Sequence, residues 1–305
     1  MPLRDLSAKY SVMQSSMASS ERIFQLIDTE PAILDPPRAE RRELRRGADG
    51  RGVAELAAVE FDGVWFAYQG EDWVLRDVSF RVEPGEKVAI VGATGAGKTT
   101  VIKLLTRLYD VTRGRILIDG VDLRALRQRD LRRRVAMVLQ DVFLFTGGVR
   151  DNISLGRDDV DPETVERVAR AVQAHPFIEA LPDGYATQIW ERGANFSGGQ
   201  RQLLSFARAL AHGADILVLD EATSSIDTDT ETLIQQGIRA LMEEKTSIVI
   251  AHRLSTIQGV DRIYVFHKGR IVESGCHQDL LAMEGVYNRL YRLQYQLQEQ
   301  RSAGG

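Results

Sequence analysis

The chain has 305 residues, 44% of them hydrophobic and 27% charged, with a formal net charge of −4. That length holds one large domain or two modest ones with a sizeable core, and the mildly acidic balance offers no footprint for a polyanion such as nucleic acid. Cys276 is the only cysteine, which excludes an internal disulfide and a cysteine metal cluster. No run approaches the roughly 18 apolar residues of a membrane helix, and no signal-peptide core stands at the N-terminus, so the chain by itself reads as soluble.

Residues 1–27 are predicted to be helical. Leu6, Tyr10, Met13, Met17, Phe24 and Ile27 recur at spacings of three, four and seven, which puts them on one stripe. A lone helix cannot bury such a stripe, so it packs on something else, self-associates or stays a mobile terminus. Residues 28–58 read as a linker, with three prolines in "DTEPAILDPP" and a basic, glycine-ended "RAERRELRRGADGRG". The arginines are either solvated surface or a contact for lipid headgroups.

A compact domain begins near Val59. "VEFDGVWFAY" and "VLRDVSFRV" alternate apolar and polar residues, as antiparallel strands do. "RILIDGVDL" adds an Asp-Gly hairpin signal. Four short apolar runs, "KVAIVG", "VAMVLQ", "DILVLDE" and "TSIVIAH", recur between helical stretches and predict buried parallel strands of an α/β layer. Residues 150–212 read as mostly helical, with Asp161 as an N-cap and Pro162 at the first helical position. In the last segment Val286, Leu290, Leu293 and Leu297 share one helical face.

Gly92 to Thr99 reads "GATGAGKT", a gapless match to the phosphate-loop pattern G-x-x-x-x-G-K-[ST] between a strand and a helix. The backbone of Gly92, Thr94, Gly95, Ala96 and Gly97 can wrap phosphate oxygens at a positive helix end, with Thr100 just inside the helix. Lys98 brings a cation to the β- and γ-phosphates, and the Thr99 hydroxyl can ligate Mg²⁺. Asp220 ends the strand "ILVLD", where it can hold the metal. Glu221 follows, as a base for the attacking water or, more plainly, as a helix cap. His252, at the end of the next strand, is a γ-phosphate contact or a structural histidine. Gln140 ends "VAMVLQ" on the same edge and can reach the metal or the water. Beyond it, Phe143, Leu144 and Phe145 either fill the local core or receive a partner. Tyr68 either stacks on an adenine or sits in the core.

"FSGGQRQLLSFARAL", Phe196 to Leu210, is a second anion-seeking stretch, with small polar residues running into a helix. The ordered set of Tyr68, "GATGAGKT", Gln140, "FSGGQ", "ILVLDE", "SSID" and "AHR" resembles the nucleotide-binding domain of an ATP-binding cassette (ABC) transporter. The resemblance runs from about Val59 to the C-terminus and implies a P-loop NTPase α/β core with a mostly parallel sheet. An N-terminal antiparallel β subdomain and a helical subdomain at about 141–212 complete that fold.

In this family two such domains dimerise head to tail, as homodimer or heterodimer. Ser197, Gly198, Gly199 and Gln200 would then close on the nucleotide held by the partner's phosphate loop, with Asp227 of "SSID" also at the nucleotide. The implied catalytic set is Glu221, His252, Lys98 and Gln140, and the implied metal ligands are Thr99, Gln140 and Asp220, for ATP with Mg²⁺.

"VLQDVFLFTGGVRDNISLG" and the first thirty residues resemble exporter-type cassettes in particular. That implies transmembrane coupling helices docking near Gln140 to Asn152 and near Thr187 to Gly193. It also implies a domain plan of a transmembrane-helix end (1–27), linker (28–58), nucleotide-binding domain (59–300) and tail (301–305). The expected setting is the cytoplasmic face of a cell (inner) membrane, in a transporter whose membrane-spanning part this chain lacks. A soluble non-transport ABC ATPase or an importer ATPase is the rival reading. Phe196 replaces the usual Leu of the signature, Trp190 stands where a Gly is usual, and Ile226 replaces the usual Leu of "SSID"; each change spares the catalytic groups.

Overall fold

The computed structural model describes residues 2–37, 57–220, 228–251 and 254–293. The chain forms two compact units, Met1–Leu34 and Asp35–Gly305. The first carries helix α1 (Pro2–Ile27). All six stripe residues of α1 are exposed. Residues 28–37 have no regular secondary structure, and the arginine cluster of the linker lies outside the described residues.

The second unit runs β1 (Val59–Ala67), β2 (Trp73–Val82), β3 (Lys87–Gly92), α2 (Lys98–Leu105), β4 (Arg113–Ile118), β5 (Val121–Asp122), α3 (Gln128–Arg134) and β6 (Val135–Val138). Next come β7 (Gly147–Gly148), α4 (Val149–Ser154), α5 (Pro162–Ala171), α6 (His175–Glu179), β8 (Gln188–Ile189), α7 (Gly198–His212) and β9 (Ile216–Asp220). The unit ends with α8 (Thr228–Met242), β10 (Thr246–Ile250), α9 (Leu254–Ile257), β11 (Arg262–His267), β12 (Arg270–Gly275) and α10 (His277–Ala282). Residues 286–293 are again helical.

A four-stranded antiparallel sheet takes the order β2-β1-β4-β5. Its last turn is the expected Asp-Gly hairpin, with Asp119 at φ 51 and Gly120 at φ 77, the two positive angles that such a tight turn needs. A six-stranded sheet takes the order β12-β11-β3-β10-β9-β6. The four runs predicted as parallel strands are its centre. β11 is a fifth parallel strand and β12 an antiparallel edge; neither was expected. Their hairpin turns through Lys268 (φ 48) and Gly269 (φ 77).

Two apolar clusters sandwich this sheet. Ala89, Val91, Leu217, Leu219, Val249 and Val265 face one cluster with α4, α5, α7 and α8. Val88, Ile90, Ile216, Val218, Ile248 and Phe266 face the other, with α2 and the antiparallel sheet. Burial on both faces explains why the strands read as unbroken apolar runs. At the C-terminus Val286 and Leu290 pack on the first cluster, Leu293 is exposed and Leu297 lies outside the described residues.

In α5 the Asp161 carboxylate accepts the Thr164 N–H at 2.7 Å, with Pro162 at the first position, as predicted. A short ladder between β7 and β8 lies inside the region read as helical. Its strands are two residues each and carry no periodic signal.

Candidate functional site

The carboxyl edge of the parallel strands collects the site. Ile250 of β10 is level with Ile90 of β3 on one side and with Asp220 of β9 on the other. Val138 of β6 is level with Leu219. Gly92, Asp220 and the residues after Val138 therefore emerge together, where ligands of open α/β sheets bind.

The phosphate loop is packed on one side and open on the other. A Cβ on Gly92 would lie 2.3 Å from the Phe266 carbonyl oxygen, and one on Gly97 would lie 2.7 Å from a Leu75 methyl. Gly97 caps α2 at φ 100, a conformation open to glycine and strained for other residues. Gly95, at φ 79, has nothing within 4 Å of where its Cβ would stand, and Ala93, Thr94 and Thr99 are exposed. The turn after β11 braces the loop, because the Gly269 N–H donates to the Ala96 oxygen at 3.2 Å. Such a concave, amide-lined turn at a helix start fits a polyphosphate.

Lys98 is buried to 7% exposure, and its ammonium donates to the oxygens of Gly92 at 2.7 Å and Ala93 at 3.1 Å. Burial pulls its pKa down, while the Asp220 carboxylate acts in the opposite sense. Asp220 is itself buried; Gln140 is exposed, two residues past the end of β6. The Thr99 hydroxyl, the Asp220 carboxylate and the Gln140 amide are hard oxygen donors, the chemistry that Mg²⁺ takes. Glu221, Asp227 and His252 lie outside the described residues.

Tyr68 stands at the mouth of the loop, half exposed. Its hydroxyl is 3.2 Å from the Thr100 hydroxyl, and the Lys103 ammonium lies 5.4 Å from its ring centre. Phe66 and Tyr109 meet it edge-to-face at 4.8 and 5.1 Å. Tyr109, half exposed beside it, is a member of this aromatic shelf that the sequence reading missed.

The second anion-seeking stretch has the local geometry expected of it. Ser197 is the N-cap of α7, its hydroxyl oxygen accepting the Gln200 N–H at 3.2 Å. In return the Ser197 N–H donates to the Gln200 side-chain oxygen at 3.0 Å. This reciprocal box consumes the backbone donors of Ser197 and Gln200. The Gly198 and Gly199 amides, at the first two helical positions, have no intrahelical acceptor, and Ser197 is exposed. Gln200 thus shapes the helix end. Phe196, the departure from the usual signature, is buried at 5% exposure with its ring 6.4 Å from that of Phe177.

The two segments proposed to face a partner lie side by side. Gly147 pairs with Ile189 and Gly148 with Gln188, and the Val149 N–H donates to the Thr187 oxygen at 3.1 Å. Leu144 is core at 0% exposure, whereas Phe143 and Phe145 are 52% and 54% exposed and stack edge-to-face at 5.0 Å. The core alternative therefore holds for Leu144, while Phe143 and Phe145 stay outside the core. Trp190, on the adjoining loop, is 66% exposed.

These features define a P-loop α/β domain with a further helix N-terminus capped by Ser197. Comparison with known proteins makes the class specific. Residues 75–224 match the family model described as ABC transporter. The chain is 46% identical over 292 residues to the fatty acid ABC transporter ATP-binding/permease protein of Mycobacterium bovis, covering 96% of this chain and 44% of that protein. It is 45% identical over 297 residues to the ATP-dependent lipid A-core flippase of Chromobacterium violaceum, with 96% and 48% coverage. Among solved structures, a bacterial Atm1-family ABC exporter with ATP bound superposes with a TM-score of 0.81 at 39% identity, over 93% of this chain and 48% of that one. The chain is an ABC transporter ATP-binding domain, homologous to the nucleotide-binding domains of exporter-type ABC proteins. It spans about half the length of the curated relatives it matches. Among the described residues no helix is long and apolar enough to cross a membrane.

Proposed function

We propose that residues 59–300 hydrolyse ATP to power export across a membrane, working as one of two nucleotide-binding domains joined head to tail. In this reading the signature residues Ser197, Gly198 and Gly199 donate to the γ-phosphate of ATP seated on the partner's phosphate loop. The observation that carries it is topological. α2, which opens from the phosphate loop, belongs to one apolar face of the six-stranded sheet, and α7, which opens from Ser197, belongs to the other. In this reading the two helix ends, set on opposite faces of the sheet, are assigned to different nucleotides.

The proposed mechanism follows from the donor set. The loop amides and Lys98 hold the β- and γ-phosphates, and Tyr68 stacks on the adenine. Thr99, Asp220 and Gln140 would hold Mg²⁺, which would supply charge neutralisation to the phosphates. Glu221 orients and deprotonates the attacking water, and His252 contacts the γ-phosphate. Water adds to phosphorus, the bond to the ADP oxygen breaks, and the water's proton passes to Glu221. Asp227 completes the nucleotide contacts. Phe143, Phe145 and Trp190 offer apolar surface to coupling helices of a membrane domain, on the cytoplasmic face of a membrane. The stripe of α1 is the end of that domain's last helix, which favours an exporter over a soluble ATPase or an importer.

Glu221→Gln tests this reading. The variant should bind ATP, fall in turnover by roughly 10²–10⁴, the usual weight of a general base, and sediment as a dimer only when ATP is present. Turnover near that of the unaltered protein, or a sedimentation coefficient indifferent to ATP with this chain and with any cassette partner, would refute it.

A further inference from the structure

Arg208 sits about three turns along α7 from the Ser197 cap, and no sequence motif assigns it a task. Its guanidinium is spent on the loop after β6 and on α4, which follows it. Nε donates to the Asn152 carbonyl at 2.9 Å, one terminal nitrogen to the Phe143 carbonyl at 2.9 Å, and the other to the Asn152 side-chain oxygen at 3.1 Å. The Phe145 ring centre is 5.7 Å away. Burial pulls the pKa of this guanidinium down, and no carboxylate among the described residues offsets that cost. A cation desolvated against neutral carbonyls is expensive to keep, so its geometry, three acceptors on one planar fork, is what it contributes.

Asn152 is the hub it secures. This side chain is 2% exposed. Its oxygen accepts the Phe145 N–H at 2.8 Å, and its amide donates to the oxygens of Phe145 at 2.8 Å and Gly148 at 3.1 Å. The Arg208 bond holds the oxygen towards the Phe145 N–H. A second brace lies nearer the cap. Leu144 packs against Gly193, where an added Cβ would be 2.9 Å from a Leu144 methyl, and Arg201 donates to the Phe196 oxygen at 2.7 Å.

We propose that Arg208 is a positioning residue that makes the loop bearing Phe143 and Phe145 and the helix capped by Ser197 one mechanical unit. Displacement of the exposed aromatics is thereby delivered to the anion-seeking helix end, and closure on a phosphate is delivered back. The inference rests on the proposed role of that helix end towards ATP.

The test is peptide-resolved hydrogen exchange on the full chain carrying Glu221→Gln, with and without Mg-ATP, compared with the same chain carrying Arg208→Met or Arg208→Lys. In the parent, segments 143–152 and 197–204 should both slow on adding ATP. In Arg208→Met, segment 197–204 should still slow, while segment 143–152 should exchange roughly tenfold faster, as loss of a charge-assisted bond allows, and no longer respond to ATP. Arg208→Lys keeps the charge without the fork and should behave in the same way, and fluorescent-ATP affinity should stay within about threefold because the phosphate loop is untouched. Unchanged exchange in the β3 and β10 peptides separates uncoupling from unfolding. A normal ATP response of segment 143–152 in both variants overturns the role of Arg208 alone. Absence of ATP protection at 197–204 in the parent overturns the reading it rests on.

Discussion

Ser197 has two jobs in this account, capping α7 and meeting a phosphate, and two substitutions separate them. Ser197→Ala removes the hydroxyl that accepts the Gln200 N–H. An N-cap of this kind contributes about 1 kcal/mol, which for a domain of this size lowers Tm by about 2–4 °C. Ser197→Asp keeps the cap, since aspartate serves as well as serine there and its charge suits the helix dipole. It also sets a carboxylate where a γ-phosphate is expected. Two unit charges about 4 Å apart repel by about 4 kcal/mol at an effective dielectric near 20, close to a thousandfold in ATP-driven association. Differential scanning calorimetry, fluorescent-ATP binding and sedimentation in the Glu221→Gln background read these effects in turn. Expected are a melting point for Ser197→Asp at or above the unaltered value, unchanged nucleotide affinity at its own phosphate loop, and no ATP-dependent dimer. If Ser197→Asp dimerises with ATP as its parent does, the charge logic at this helix end is wrong. If it melts below Ser197→Ala, the capping logic is wrong.

Other consequences can be checked at equilibrium. Tyr68→Phe loses only the bond to Thr100 and should leave ATP affinity within about threefold, while Tyr68→Ala should weaken it by roughly 1–3 kcal/mol, the worth of a base stack; isothermal titration decides between them. Lys98, its pKa drawn below the ordinary 10.5 by burial, should lose its charge as pH rises before a solvated lysine does. ATP affinity should therefore fall on the alkaline side below pH 10.5, with a proton taken up on binding there, and Lys98→Met should flatten that slope. An affinity that declines only above the range of an ordinary lysine would contradict this assignment.

The phosphate loop, the Asp220 strand end and the α7 cap were legible because each is a contiguous stretch whose chemistry is local. The four central strands were legible because burial on both faces leaves unbroken apolar runs. The β11–β12 hairpin escaped notice although "RIYVFH" and "RIVES" flank a Lys-Gly turn with two positive φ angles; the signal was present and unread. The β7–β8 ladder carried no signal, because pairing between Gly147 and Ile189 is set by the tertiary fold. Local pattern also gave no means of dividing Leu144 from Phe143 and Phe145. That division depends on Gly193 and Arg208, which are distant in sequence. The roles proposed for Glu221, His252 and Asp227 rest on the motif order alone.

The shared-nucleotide interface is tested most directly by a disulfide across it. Cys276 caps α10 through its sulfur, which accepts the Asp279 N–H at 3.5 Å, so Cys276→Ser should clear the background thiol without loss of the cap. Chains carrying Ser197→Cys and Thr94→Cys in that background should crosslink between subunits under mild oxidation when ATP is present and hydrolysis is blocked, and should stay monomeric without it. Crosslinking that ignores ATP, or none in its presence with this chain or any cassette partner, would contradict the head-to-tail site.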